Sequence, residues 1–242
     1  SVNFSMNNNR IDKFSNDQFQ TEWIEKGSLN SGDLGGLENT PLLRLVPGGK
    51  VGDFYLPVFK GFTDEGKWIF EDVDDSGDFS FEKDRRFVGN AQPDFIAGWT
   101  NELSYKNFNL SFTMRAVVGN DVLNVGRMAL ENQTVAGQEK NMLRSALKSP
   151  LRDAGQPSDY YLEDGSFVKM DNITLGYNVP FKPGGLVKDM QIYFTAQNVF
   201  TLTGYKGVDP EVDMVGIDNM GIERTRYFPT VRSYVLGVNV TF

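Results

Sequence analysis

A chain of 242 residues with no cysteine, no histidine and a net charge of −8 is bounded before any motif is read. The missing thiols and imidazoles exclude disulfide stapling, Ser-His and Cys-His catalysis and most zinc sites. The acidic balance argues against nucleic acid as a partner, since phosphate binding relies on clustered Lys and Arg.

No apolar run approaches the roughly 18 residues of a membrane helix. Strands that alternate polar and apolar residues escape such a window, however. The chain opens on such a pattern over residues 1–10, with Val2, Phe4 and Met6 against Asn3, Ser5 and Asn7. No basic segment and apolar core precede it, so no signal peptide is read and the chain is expected to be a piece of something longer. Residues 11–93 form a long polar, Gly-rich connection in which 51–59 and 67–70 are expected to be extended.

A strand follows over 94–105, then the tight polar turn Lys106-Asn107 and a strand over 108–119, together a hairpin. Residues 120–165 are a second long connection, with helical turns expected at 135–147 from their Ala, Gln, Glu, Lys, Leu and Met content. Alternation resumes over 166–179, where Ile173, Leu175, Tyr177 and Val179 oppose Asn172, Thr174, Gly176 and Asn178. A Pro- and Gly-rich turn leads to a strand over 190–201, and a third long connection, 202–231, leads to the last strand, 232–242. There Tyr234, Leu236, Val238, Val240 and Phe242 share one face, opposite Ser233, Gly237, Asn239 and Thr241.

Short and long connections alternate strictly along this order. That predicts an all-β fold, a transmembrane antiparallel β-barrel with turns on one side and long extracellular loops on the other. About six strands are too few to close a barrel. An open edge in lipid would leave backbone donors unpaired at several kcal/mol each. The chain is therefore expected to be the C-terminal portion of a larger barrel. The competing reading of the long connections is a soluble or surface-attached β-rich carbohydrate-binding or adhesive module.

Five stretches carry a family resemblance: Gly89-Asn90 with Pro93-Asp94-Phe95, the hairpin L-S-Y-K-N-F-N-L-S-F, Y-L-E-D-G-S-F-V-K-M-D-N-I-T-L-G-Y, F-T-A-Q-N-V-F-T-L-T-G-Y-K-G-V-D-P-E-V, and the last strand. In this order they resemble the C-terminal barrel region of SusC/RagA-type TonB-dependent outer-membrane transporters of Bacteroidetes, over residues 52–242. The resemblance implies a 22-stranded plugged barrel in the bacterial outer membrane. Its partners would be the remaining N-terminal barrel and plug, a SusD-like surface lipoprotein, TonB acting through the missing N-terminal part, and outer-membrane lipid. An oligosaccharide or peptide would be the imported substrate.

Asp72, Asp74, Ser76 and Asp78 resemble the opening of a calcium loop, although Lys83 stands where the closing carboxylate belongs and Glu82 and Asp84 flank it. Bound Ca²⁺ is weighed there against a solvated acidic turn. Tyr160, Tyr161, Tyr205 and Tyr227, with Trp23, Trp68 and Phe228, fall in the long loops. Their rings would contact a ligand or the lipoprotein, or serve as packing anchors. Arg115, Gln191, Gln197 and Asn239 are expected to face the lumen. The resemblance implies that Phe242 is read by the assembly machinery of the outer membrane. The pairs Asp209 and Glu211, and Glu163 and Asp164, lack an apolar pocket that would raise one pKa, so they are read as loop-shaping and no enzyme activity is expected.

Overall fold

A computed structural model describes residues 1–18, 20–29, 40–135, 141–181, 185–212, 216–223 and 228–242. In chain order the strands are β1 (Val2–Ser5), β2 (Ile24–Ser28), β3 (Pro41–Leu45), β4 (Asp53–Leu56), β5 (Phe59–Phe62), β6 (Trp68–Phe70), β7 (Arg86–Asn90), β8 (Phe95–Tyr105) and β9 (Phe108–Val118). Then come β10 (Asp121–Leu123), the helix α1 (Val125–Leu130), β11 (Leu162–Asp164), β12 (Phe167–Asn178), β13 (Asp189–Thr203) and β14 (Ser233–Thr241).

The long alternating segments make one antiparallel sheet of order β1-β8-β9-β12-β13-β14. Residues directly opposite each other in such a sheet share a face, so the pairing register sorts every side chain. One face collects Phe4, Trp99, Phe112, Leu175, Phe194, Leu236 and Val238. The other collects Asn3, Thr113, Thr174, Gln191 and Asn239. The hairpin turn closes at Tyr105 opposite Phe108, with Lys106 at φ +54°.

Among the described residues nothing covers the apolar face. Phe4, Trp99, Leu103, Phe108, Leu175, Phe194, Tyr234, Leu236 and Val238 are all exposed. Their contacts run sideways along the face, as in Trp99 on Phe112 at 4.9 Å and Phe108 on Tyr177 at 4.8 Å. In water such a surface would be expelled at about 25 cal/mol per Å².

The apolar core lies elsewhere, in the long connections. Leu29, Leu42, Leu43, Phe54, Leu56, Ala91, Leu123, Val125, Met128, Tyr161, Met220 and Ile222 form a single buried cluster, so all three connections fold into one cap. Its frame is a four-stranded sheet, β2-β3-β4-β7. The third connection joins through the parallel bridge of Leu123 with Ile222. Gly221 permits that approach at φ +68°, because a Cβ there would stand 2.5 Å from Ala91 and 3.0 Å from the Phe54 ring.

The helix is upstream of the expected position. α1 runs from Val125 to Leu130, started by Asn124, whose side chain accepts from the Arg127 backbone N–H at 2.7 Å. Within 135–147 the described residues carry only 3₁₀ turns at Gln133–Val135 and Arg144–Leu147, and 136–140 lie outside them. Leu143, ahead of the second turn, makes no side-chain cap bond.

Candidate functional site

The polar face of the sheet is hydrogen-bonded across strands. Ser104 Oγ donates to Asn109 Oδ1 at 2.9 Å, the Thr174 and Thr195 hydroxyls are 2.8 Å apart, and Gln191 donates to Asn178 at 3.1 Å. A concavity of about 490 Å³ opens over these residues, with Gln191, Tyr193 and Asn239 in its wall. Gln197 lies on the same face, opposite Asn172 and Ser233.

Arg115 sits farther along this face, in an ionic cluster. A β-bulge in β12 between Met170 and Asn172 leaves Asp171 as the extra residue and re-aims its side chain. The Arg115 guanidinium grips that carboxylate with both prongs, at 2.8 and 2.9 Å, and also reaches Glu211 at 2.7 Å. Lys169, only 3% exposed, donates to Glu211 as well. Two cations and two carboxylates thus join the wall of the sheet to the third connection. Asp209 braces the same segment, accepting the Glu211 backbone N–H at 3.0 Å and that of Thr230 at 3.2 Å.

In the acidic turn, Asp72, Asp74 and Asp84 bring carboxylate oxygens within 4.8 Å of one another. Asp84, one position beyond Lys83, is in this group, while Asp78 is not. These are the hard oxygen donors that Ca²⁺ accepts. Asp84 also organises the turn, accepting from the backbone N–H of Ser80 and of Val73, each at 2.7 Å. Those bonds, the one from Ser80 foremost, hold its carboxyl below the usual range.

The loop tyrosines separate. Tyr161 is fully buried and Tyr205 is 6% exposed, so of the two roles weighed for them, ligand contact and packing anchor, their burial fits the packing anchor. Burial pushes the Tyr161 phenol up. Tyr160 is half-buried, with its ring 4.7 Å from Phe59 and 5.5 Å from Trp68. Tyr227 lies outside the described residues. Phe242 is exposed and follows the end of β14.

Two features carry no sequence signal. Glu223 is buried in the cap, with its Oε1 accepting from the Val208 backbone N–H at 3.0 Å and its Oε2 without a partner in range among the described residues. Arg44 and Arg85, forty-one positions apart, converge on Glu25.

No protein-family model matches the chain. The chain is 30% identical over 201 residues to the TonB-dependent receptor P3 of Formosa agariphila, which covers 76% of this chain and 20% of that protein. It is 29% identical over 259 aligned residues to the TonB-dependent receptor SusC of Bacteroides thetaiotaomicron, covering 100% of this chain and 24% of that protein. The chain therefore spans about a fifth to a quarter of the relatives it matches. The solved structure of the RagAB peptide transporter superposes with a TM-score of 0.70 at 20% identity, covering 100% of this chain and 27% of that one.

Proposed function

The chain belongs to the SusC/RagA family of TonB-dependent receptors, and we propose that it supplies part of the wall and part of the external cap of an outer-membrane importer. The observation that carries this is the inverted burial. The long strands expose their apolar face while the connections bury theirs, as lipid on one side and water at the cap require. On this reading the polar face, with Arg115, Gln191, Gln197 and Asn239, lines the lumen against the plug supplied by the rest of the receptor. The long connections face outward and meet a SusD-like lipoprotein, and TonB acts through the remaining polypeptide. The function is binding and passage, without bond chemistry.

The substrate is an oligosaccharide or a peptide; the RagAB neighbour, named as a peptide transporter, favours including peptides. Ca²⁺ held by Asp72, Asp74 and Asp84 would tie the two ends of the acidic turn. A chelator should then lower the melting temperature of the cap, and a midpoint unchanged by chelation removes the ion from the scheme. The soluble-module reading is disfavoured by the same uncovered face.

The deciding experiment expresses the complete receptor and fractionates the cells. The protein should stay with the outer membrane through urea and alkaline washes and come off only in detergent. Release into the wash without detergent would sink the proposal.

A further inference from the structure

A second cavity, of about 680 Å³, opens on the cap, and its lining includes Trp23, Glu25, Arg44, Glu82, Lys83 and Arg85. Arg44, Lys83 and Arg85 share this lining with Glu25 and Glu82, and Lys83 also pairs with Asp74 at 3.7 Å, which leaves the two guanidiniums as the cations turned to the cavity. The two guanidiniums are held by Glu25. Glu25 on β2 stands directly opposite Arg44 on β3, and its Oε1 accepts from Arg44 Nη2 at 2.5 Å and from Arg85 Nη2 at 2.9 Å. Burial raises the Glu25 carboxyl, but the bonds and charges of Arg44 and Arg85 outweigh it and keep the group ionised.

Aromatic rings fix the guanidinium planes. Arg44 lies 3.8 Å from the centre of the Tyr55 ring and 4.9 Å from that of Trp23; Arg85 lies 4.9 Å from Tyr55 and 5.2 Å from Phe81. Arg85 is only 5% exposed and also donates to the Pro41 carbonyl at 3.1 Å. The Nε of each arginine nevertheless has no acceptor among the described residues. A buried cationic donor left unused is costly, and a single carboxylate serves two guanidiniums. Among the described residues, Glu25 is the carboxylate that both guanidiniums share.

Trp23 stands at the rim with 46% of its surface exposed. A guanidinium pair beside an open indole suits a carboxylate carried on a ring or chain with an apolar face. We infer that this cavity is a carboxylate-selective site on the outer cap, where Arg44 and Arg85 take the acid group of an incoming solute and Trp23 stacks on the part that bears it. This rests on the receptor reading and deepens it, since it gives the substrate a charge. A uronate of an oligosaccharide and an acidic residue of a peptide offer the same group.

The test uses the complete receptor purified in detergent, titrated by calorimetry with an oligogalacturonate, a neutral oligosaccharide of equal length, a glutamate-containing peptide and its glutamine counterpart. At least one acidic probe should bind more tightly than its neutral counterpart and weaken as salt is raised. Arg44→Gln and, independently, Trp23→Ala should each raise its Kd about tenfold, the size of one charged contact, while Arg44→Lys should restore part of the loss. Binding of the saccharide acid alone assigns a uronate; binding of the peptide acid alone assigns an acidic side chain. Acidic and neutral probes binding alike, or an acidic probe unaffected by either variant, overturns the inference. Membrane insertion scored on the same preparation keeps the two readings apart, because an inserted receptor without acid selectivity loses only this site.

Discussion

Tyr193 lies across Gly237. The two are opposite each other in β13 and β14, and a Cβ built on the glycine would overlap the tyrosine ring and hydroxyl. On its other side Tyr193 faces Gly176 of β12. A glycine weakens a strand, but here an aromatic from the neighbouring strand covers the bare backbone and fixes the pairing register. The phenol thereby lies along the polar face and leaves the space above it open.

Gly237→Val removes the place where the ring lies. The side chain must rotate off the sheet or the strands must part, at about 1–3 kcal/mol by the usual cost of overpacking. The heat-induced unfolding midpoint of the receptor, read by gel mobility, should fall. Tyr193→Ala in the same chain should recover part of the loss. A Gly237→Val protein with an unchanged midpoint would show that the ring has a second resting place.

The two faces of β14 should respond oppositely to charge. Leu236 is exposed near the middle of the strand, on the apolar face, whereas Asn239 is on the polar face. Leu236→Arg is expected to cost about 2–4 kcal/mol if it meets the centre of the bilayer, and the amount of receptor in the outer membrane should drop. Asn239→Arg should leave that amount near normal. Equal levels for both variants would contradict the assignment of faces.

The long strands were legible because a sheet wetted on one face writes a period of two over ten or more residues, as from Phe108 to Val118. The cap was not. Its strands are three to five residues long, too short for periodicity, and its core joins positions as distant as Leu29, Leu123 and Ile222. The acidic turn was legible as oxygen-rich, but Asp84, which the fold brings beside Asp72 and Asp74, falls one position past the spacing of the motif. Tyrosines in polar segments look alike in sequence, and only packing separates buried Tyr161 from half-buried Tyr160. Nothing local marks Arg44 and Arg85 as neighbours, since strand pairing alone brings them together.

The ionic cluster around Arg115 should act as a latch for the third connection. Arg115→Ala leaves Asp171 without its bidentate partner and removes one of the cations that hold Glu211. These groups are partly exposed, so the loss is expected at about 1–2 kcal/mol, below that of a fully buried pair. It should appear locally, as faster protease cleavage or amide exchange between residues 204 and 212, with the barrel itself unchanged. Glu211→Gln should behave similarly by weakening the hold of both Arg115 and Lys169. Exchange rates equal to those of the unaltered receptor would show that Asp209 and the backbone secure the loop unaided.

Glu223 sets the sign of a pH effect in the cap. Its carboxyl is pushed above the ordinary value of 4.5, first by burial and further by the charge of Glu163, against the donation from the Val208 N–H. Below the ordinary value the folded and the unfolded chain both carry the proton, and the group contributes no pH dependence. As pH rises through that value the unfolded chain releases its proton first, so folding loses stability until the folded pKa is passed. The segment around Val208 and Glu223 should therefore be more protected from exchange near pH 4.5 than at neutrality. Glu25 and Asp209, whose folded carboxyls are depressed, act in the opposite direction, so the informative quantity is the difference between the receptor and its Glu223→Gln variant. The glutamine keeps an acceptor for Val208 and never ionises. Its protection should exceed that of the parent at neutral pH, and the gap should close as the solution is acidified. A gap that widens on acidification would mean that Glu223 is ionised and stabilising where it sits.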